Sequence, residues 1–291
     1  MSENAIEIYG LTKRYGDLFA VRDLNLKIPH GSVYGLIGPN GAGKTTTLSV
    51  LASLLEPTAG RVLVGGFDPS RDAQGVRRKV GYMPDVMGLY ENMRVNEYLQ
   101  FFAAAYRIPA KEWPALIGGL LELVDLTDKG DAFVDGLSRG MKQRLSLARA
   151  LAHDPEILLL DEPASGLDPH ARIELRGLVQ ELASMGKTVV ISSHILPELE
   201  EMCTEVAIME AGALLASGPP KEIGVGTGQT RSVKVRLWGG SEKTFEVADE
   251  IEQRDLVRRL VVDEELPVIE VTTIEENLED LFLRVTKGQR Q

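Results

Sequence analysis

The fold is decided by one short stretch of the sequence, Gly38-Pro39-Asn40-Gly41-Ala42-Gly43-Lys44-Thr45. Its glycines, its lysine and its hydroxyl residue have the spacing of a phosphate-binding loop. Small residues allow backbone N–H groups to surround a polyphosphate, the lysine reaches the β and γ phosphates, and the Thr45 hydroxyl is available to Mg²⁺. Thr46, the next residue, is expected to bind the same ligand. The alternative is a glycine-rich turn with a solvated lysine, and the flanking sequence decides between the two.

The flanking sequence predicts a strand, the loop and a helix in that order. Residues 33–37 form a short apolar run before the loop, and apolar residues recur at helical spacing over residues 48–55 after it. Further along, Ile157–Leu160 and Val189–Ile191 are continuous apolar runs on either side of a helical segment at 169–185. Such runs are typical of a parallel sheet buried on both faces. The core is therefore predicted to be α/β.

Other parts of the chain have a different periodicity. Residues 5–37 are interpreted as three short strands, whereas residues 86–154 carry apolar positions at helical spacing and are predicted to form a helical insertion. The glycines of residues 224–228 are typical of a linker. We therefore predict one domain over residues 1–226 and a small α+β accessory domain over residues 227–291.

Composition and charge exclude several classes of protein. The formal net charge of −11 over 291 residues opposes non-specific binding to nucleic acid or to anionic lipid. Cys203 is the only cysteine, so an internal disulfide and a cysteine-based metal site are excluded, and a cytosolic location is favoured. No stretch is apolar enough to span a bilayer, and Glu3 and Glu7 stand where a signal peptide would be apolar. Any membrane role is expected to depend on a partner.

Two acidic residues follow the predicted buried strand at Ile157–Leu160. Asp161 and Glu162 close this strand, and only the end of a buried strand is open to a bound nucleotide. There Asp161 would hold hydrated Mg²⁺, and Glu162 would orient and deprotonate the attacking water. The alternative is an acidic pair that caps a strand at a solvated edge. The nearby phosphate loop favours the catalytic interpretation.

Across residues 6–220 the chain resembles the ATP-binding cassette family, because further motifs of that family occur in the right order. Leu137-Ser138-Arg139-Gly140-Met141 is similar to the family's signature, and a helix is expected over residues 142–152. The resemblance implies a P-loop NTPase core of the RecA-like type, an N-terminal antiparallel β subdomain and a helical signature subdomain. It also implies that the Ser138 hydroxyl and the Gly140 N–H meet the γ phosphate of a partner cassette. In isolation, Ser138 would be an ordinary N-cap.

The same resemblance assigns roles to three more residues. Asp168 ends a segment, Ser165-Gly166-Leu167-Asp168, that is similar to the family's dimer-interface loop. His194 matches the switch histidine, which would contact the γ phosphate and hold Glu162 and water in line. Tyr15 resembles the aromatic residue that stacks on adenine. Without the resemblance, His194 would be a surface residue after a strand, and Tyr15 a half-exposed strand tyrosine.

Two residues depart from the family pattern. Asp85 stands where the family commonly has a glutamine that links the Mg²⁺ site to the helical subdomain. Aspartate is shorter by roughly 1.5 Å and negatively charged, so it can approach the γ phosphate only through Mg²⁺ or water. We expect altered coupling rather than lost nucleotide binding. Arg139 replaces a usual glycine and is either a contact at the rim of the composite site or a solvated side chain.

The C-terminal part carries a candidate capping box, Thr273-Ile274-Glu275-Glu276, followed by an amphipathic helix. Residues 277–286 are similar to the tails of ATP-binding subunits from bacterial exporters of the drug-resistance type, whose membrane subunit is a separate chain. The apolar face of this helix needs a covering surface, and its own small sheet is one such surface.

One main hypothesis and two alternatives follow. In the main hypothesis the chain is the ATP-hydrolysing subunit of an exporter: two cassettes, most simply a homodimer, close around two MgATP and drive a separate transmembrane permease from the cytoplasmic face of the membrane. Glu162, His194 and Lys44 are its expected catalytic residues. The alternatives are an importer's ATPase subunit and a nucleotide-gated switch on ribosomes or DNA. The single cassette and the negative charge disfavour the switch, so no nucleic-acid partner is expected.

Overall fold

The computed structural model describes residues 3–90, 92–220, 222–223 and 231–274 of the chain. The chain divides into two compact units, residues 1–217 and residues 218–291. The sequence predicts a domain boundary after residue 226 instead. That position and the glycine-rich linker fall in a segment outside the described residues, so both stay predictions.

The first unit contains two sheets and the helices that pack on them. The strands up to residue 218 are β1 (Asn4–Tyr15), β2 (Leu18–Pro29), β3 (Val33–Ile37), β4 (Ala59–Val64), β5 (Val80–Met83), β6 (Ile157–Asp161), β7 (Thr188–Ser193), β8 (Glu205–Glu210) and β9 (Ala213–Gly218). The α-helices of this unit are α1 (Lys44–Leu51), α2 (Ala73–Lys79), α3 (Val95–Ala105), α4 (Trp113–Leu123), α5 (Arg139–Leu151), α6 (Pro169–Ser184) and α7 (Leu196–Met202).

The larger sheet has the strand order β5-β6-β7-β3-β8-β9 and confirms the predicted α/β core. Each neighbouring pair from β5 to β8 is parallel. Residues 157–160 of β6 are completely buried, as expected for an inner strand of a sheet on which helices pack. Because the strands are parallel, the loop after β3, the end of β6 and the residue after β7 meet at one edge of the sheet.

The smaller sheet has the order β2-β1-β4 and is antiparallel, which confirms the expected N-terminal β subdomain. Strands β1 and β2 have 12 residues each and are longer than the short strands predicted from the sequence. In β1 the strand continues through Gly10, whose φ is 62° and which lies at a register shift between the two strands. A bulge of this kind lets a strand continue through a glycine that would otherwise end it.

Helices α3, α4 and α5 lie between β5 and β6 and confirm the predicted helical insertion. Helix α5 begins at Arg139, three residues before the predicted start at residue 142. The cause is the Ser138 hydroxyl, which caps the helix by accepting a hydrogen bond from Met141 N at 3.3 Å. Among the described residues, none of the helices combines the length and the hydropathy needed to cross a bilayer.

Cys203 directly follows α7, and its side chain is buried against Gly35 of β3. A Cβ added at Gly35 would lie 3.1 Å from the Cys203 sulfur, so the glycine permits this close packing. Burial raises the pKa of the Cys203 thiol to about 12. At neutral pH the side chain is therefore a small apolar group.

The second unit is α+β, as predicted. It contains strands β10 (Arg231–Leu237), β11 (Glu242–Val247) and β12 (Val268–Ile274), and helix α8 (Glu250–Arg258), which continues into a π-helical segment at Arg259–Asp263. The sheet is antiparallel with the order β11-β10-β12. Its core joins Val233 and Val235 of β10 to Leu256 and Leu260. The predicted capping box continues into residues 275–291, which lie outside the described part of the chain. The predicted amphipathic helix lies entirely within those residues.

Candidate nucleotide-binding site

Two glycines shape the loop between β3 and α1. Gly43 caps α1 with a φ of 99°, a conformation that favours glycine. A Cβ added at Gly43 would lie 2.5 Å from the Ala20 carbonyl oxygen, and one at Gly38 would lie 2.8 Å from the Ala42 Cβ. Neither position accommodates a side chain. The loop therefore leads directly into the N-terminus of α1, where backbone N–H groups favour an anion.

Lys44 is held in the centre of this loop. Its side chain is 6% exposed, and its Nζ donates to Gly38 O at 2.6 Å and to Pro39 O at 3.3 Å. The same Nζ lies 3.2 Å from Glu162 Oε1. A buried ammonium requires such partners. A bound phosphate would replace them, because it offers the ammonium oxygen acceptors with a greater negative charge.

Asp161 is the most buried acid of the site, with 1% exposure. Its Oδ1 accepts hydrogen bonds from the Ser192 hydroxyl at 2.6 Å and from the Thr45 hydroxyl at 3.2 Å. Burial raises the pKa of the Asp161 carboxyl, the Ser192 and Thr45 hydroxyls lower it, and the charges of Asp85 and Glu162 raise it. The charged form is thus costly unless a cation lies nearby.

The residues around Asp161 fit Mg²⁺. Asp161 Oδ2 is buried and has no hydrogen-bond partner in the described part of the structure, so it is available as a ligand. Among the described residues, no group of three or more His, Cys, Asp or Glu side chains could hold a metal ion. Mg²⁺ often binds to one or two protein oxygens together with substrate phosphates and water. The pair of Thr45 and Asp161 suits that kind of coordination.

Glu162 is fixed between two cationic or hydrogen-bonding groups. Its Oε2 lies 2.8 Å from His194 Nδ1, and its Oε1 lies 3.2 Å from Lys44 Nζ. The backbone φ of Glu162 is 48°, a conformation that is costly for a residue with a side chain. Its N–H donates to Ser192 Oγ at 2.9 Å and to Ser192 O at 3.2 Å, and these bonds help to hold the unusual turn.

Tyr15 and Asp85 are both exposed. Tyr15 ends β1, is 50% exposed and has Lys13 Nζ at 5.1 Å from its ring centroid. Its ring therefore has an open surface on which a purine can stack. Asp85 is exposed in the loop after β5, and its charge acts on Asp161. Thr46 is half-buried in the first turn of α1.

Ser138, Gly140 and Asp168 lie where helices begin. Ser138 caps α5, Gly140 is in its first turn, and Asp168 caps α6 by accepting a hydrogen bond from Ala171 N at 3.0 Å. In the part of the chain that the structure describes, the side chains of Ser138 and Asp168 bond locally and not to residues 38–45. Their expected role at a partner's nucleotide stays a prediction.

Arg139 covers the predicted interface loop. A Cβ added at Gly166 would lie 2.5 Å from Arg139 Cζ, so the guanidinium rests directly on this glycine. The Gln143 side chain donates to Ser165 O in the same loop at 3.2 Å. Arg139 is therefore an exposed side chain with a contact of its own, and the signature segment and the interface loop are held together.

Ser192 is a residue of the site that the sequence did not predict. This serine bonds both to the Asp161 carboxylate and to the Glu162 backbone, and so positions the two acids together. The available signal is the polar pair Ser192-Ser193 directly after the apolar run Val189–Ile191. The pairing of β6 with β7 gives it this position.

The loop, the neighbouring acids and the parallel sheet define a P-loop nucleoside triphosphatase. Residues 21–165 match the family model described as ABC transporter. The chain is 38% identical over 304 aligned residues to the Nod factor export ATP-binding protein I of Burkholderia orbicola (strain AU 1054), and the alignment covers all of both chains. It is 39% identical to the daunorubicin resistance ATP-binding protein DrrA3 of Streptomyces coeruleorubidus, over 79% of this chain and 73% of the relative.

A comparison with a solved structure indicates the same family. The fold is similar, with a TM-score of 0.68 and 25% identity, to an ATP-binding cassette in a dimeric post-hydrolysis state bound to ADP and Pi. The match covers 74% of this chain and 98% of that structure. The chain therefore belongs to the ATP-binding cassette family of ABC transporters, as an ATP-binding subunit that hydrolyses ATP. Its exporter-type relatives favour the transporter hypothesis over the switch and the importer.

Proposed function

We propose that this chain is the motor subunit of an exporter: two copies close around two MgATP, and hydrolysis reopens them to drive a separate transmembrane permease. The observation that carries the proposal is the match to an export ATP-binding protein over the full length of the chain, including the second unit. The positions of the expected hydrolytic residues support the proposal, because Lys44, Asp161 and Glu162 lie together in one site.

Binding of ATP would begin at the phosphate loop. Lys44 would exchange the Gly38 and Pro39 carbonyls for the β and γ phosphates, while the N-terminus of α1 adds positive potential. The exposed ring of Tyr15 would stack on adenine. Stacking accepts any purine, so we expect little selectivity between ATP and GTP.

Thr45 and Asp161 would hold Mg²⁺, with Asp85 reaching it through water. When bound, Mg²⁺ neutralises charge on the transferred phosphoryl group. Ser192 keeps the Asp161 carboxylate in place by a 2.6 Å hydrogen bond. Asp85 adds a negative charge near Asp161. This charge would be repelled by the γ phosphate, so Asp85 would approach the phosphate only when the cation is present.

Glu162 would act as the general base for the attacking water. Its carboxylate is already oriented by His194 at 2.8 Å, and departure of Lys44 toward the phosphates would free Oε1 to accept a proton from water. His194 would keep the carboxylate in line and contact the γ phosphate. The strained backbone of Glu162 fixes the direction of the side chain before substrate arrives.

A second copy of the chain would complete each site. Ser138 and Gly140 of one copy would meet the γ phosphate held by the other, and Asp168 would lie at the interface between them. Both the base and the signature serine are present in this chain, so a homodimer would contain two complete sites. In light scattering, Glu162→Gln with MgATP is expected to shift from 31.8 kDa to twice that mass. A monomer at saturating MgATP would contradict the homodimer.

The permease is expected to dock on the helical insertion near residues 85–97. Val86 is 81% exposed there, and Tyr90 and Phe101 together present a partly exposed aromatic surface. Docking at this position would hold the chain at the cytoplasmic face of the membrane. Substitutions that make this surface polar should uncouple transport from ATPase activity, whereas an equal loss of both would count against the docking site.

Affinity purification from the host's membranes in mild detergent tests the proposal. Glu162→Gln is used with ATP to hold the closed state, and Lys44→Ala, which removes the phosphate-binding ammonium, is the matched control. We expect a protein with several membrane spans in equimolar amount with the first variant and less with the second. Recovery of ribosomes or DNA-associated proteins, with nothing from membranes, would contradict the transporter role while leaving the ATP site intact.

A further inference from the structure

The last turns of α5 lie along β5, the outermost strand of the six-stranded sheet. An edge strand pairs on one side only, so its remaining carbonyl groups need other partners. One side chain of α5 and one from the turn that follows it supply them. Arg149 Nη2 donates to Tyr82 O at 3.3 Å, and His153 Nε2 lies 3.1 Å from Val80 O. Because a carbonyl only accepts, the His153 Nε2 carries the proton in this bond.

The spacing of these two bonds explains why they form together. Arg149 and His153 are four residues apart, and the backbone of Ala152 between them is still helical, with φ −55° and ψ −29°, so they are separated by about 6 Å along the helix direction. Val80 and Tyr82 are two residues apart, about 6.6 Å along a strand. A helix segment that runs antiparallel to the strand therefore matches both carbonyls in a single register. Gly81 lies between them, and a Cβ added there would collide with the Ala150 carbonyl oxygen of α5. The glycine thus permits the close approach that the two bonds need.

Arg149 also reaches beyond the strand into the loop that carries Asp85. Its Nη1 donates to Met87 O at 3.4 Å, and its guanidinium lies over the Phe102 ring with Cζ at 5.4 Å from the centroid. One side chain therefore bonds to a carbonyl before Asp85 and to a carbonyl after it. The stacked ring limits the orientations of the guanidinium and favours this two-sided geometry.

We propose that Arg149 is a positioning residue that fixes the Asp85 loop to α5, the helix that Ser138 caps. Helix α5 has 13 residues and extends for about 20 Å. A displacement of the loop at one end would therefore be transmitted to the signature segment at the other end by a rigid element. The expected effect of Arg149 on ATP turnover rests on the proposed function. Its effect on the conformational order of the Asp85 loop depends on the chain alone.

The test compares three variants of the full chain. Arg149→Met keeps an apolar side chain on Phe102 but removes all donors, and Arg149→Lys keeps the charge but not the planar pair of donors. The matched control is Arg144→Met, which removes a guanidinium from the same helix that pairs instead with Asp125 and Glu174. Amide hydrogen exchange over residues 84–90 reports the order of the loop, and steady-state kinetics report kcat and KM for ATP.

We expect Arg149→Met to speed exchange in the loop by about 10-fold or more, and to lower kcat by about 10-fold with KM for ATP changed less than about 3-fold. Arg149→Lys should lie between this variant and the wild type, and Arg144→Met should leave loop exchange unchanged. Unchanged exchange in Arg149→Met, or an equal increase in Arg144→Met, would overturn the positioning role. If the wild type itself lacks ATPase activity while the exchange results hold, the proposed function fails and the loop attachment stands.

Discussion

Replacement of Glu162 by glutamine tests the central assignment of the site. The substitution keeps the size of the side chain and one oxygen acceptor, but it removes the negative charge and the ability to take a proton. The amide can still bond to His194, which lies 2.8 Å from the present carboxylate. Any large loss of turnover would therefore come from the missing base rather than from a collapsed site.

The expected magnitudes follow from the geometry. A positioned general base contributes about 10²–10⁴-fold to the rate, or about 3–5 kcal/mol of barrier, so kcat should fall by that factor. The pair of Lys44 and Glu162 is 3.2 Å apart, and such a pair attracts by about 5 kcal/mol at an effective dielectric constant of 20. Burial of the carboxylate offsets most of this attraction. We expect MgATP to bind with equal affinity or up to about 10-fold more tightly.

Phosphate release under saturating MgATP measures the rate, and titration with a fluorescent ATP analogue measures affinity. The control is Glu156→Gln, which removes an acid that is 56% exposed just before β6 and pairs with Lys79. This control should keep kcat within about 2-fold, because a surface pair of this kind contributes little. A Glu162→Gln variant with kcat within about 3-fold of the wild type would refute the assignment of the base.

Three further predictions concern coupling, pH and stability. Asp85→Gln should change partner-stimulated ATPase by about 3-fold or more while the Kd for MgATP stays within about 3-fold, because Asp85 is exposed and its charge acts on Asp161 from outside the phosphate loop. Identical stimulation of the variant and the wild type in a reconstituted complex would contradict this. Burial lowers the pKa of His153 in the folded chain below its ordinary value of 6.5. Between the folded-state pKa and 6.5 the unfolded chain binds more protons than the folded chain, so stability falls as the pH drops from 7.5 toward 5.5. The dependence of the urea midpoint on pH should therefore be weaker in His153→Gln, and an unaltered dependence would exclude the histidine as its cause. Leu159 is completely buried in β6, so Leu159→Ala should lower the free energy of unfolding by about 2–5 kcal/mol. A loss below about 1 kcal/mol in the same urea assay would contradict the position of Leu159 in the core.

Much of the site could be predicted because its chemistry is local in sequence. The phosphate loop joins a strand to a helix within a dozen residues, and its glycines, Lys44 and Thr45 are fixed by that turn alone. The acidic pair at Asp161 and Glu162 could be placed beside it because parallel strands end at the same edge of a sheet. The bonds among Thr45, Asp161, His194 and Glu162 follow from this arrangement.

The parts that could not be predicted depend on contacts between distant segments. Strand β5 has only four residues and includes Gly81, so its pattern resembles a loop, and its position is determined by pairing with β6 and by the approach of α5. Ser192 acquires its role only because β7 lies beside β6. Arg149 looks like any polar residue of an amphipathic helix, and no local signal shows which backbone carbonyls it will reach.

Cys203 makes the chain a convenient reporter of its own unfolding. Thiol reagents attack the thiolate, and this sulfur is buried against Gly35 with a pKa raised to about 12. Labelling of the native protein must therefore wait for the end of α7 to open away from β3. The rate of labelling would measure that opening directly, without any introduced cysteine. Cysteines introduced on the surface for cross-linking or spectroscopy could likewise be modified selectively, with the native cysteine left in place.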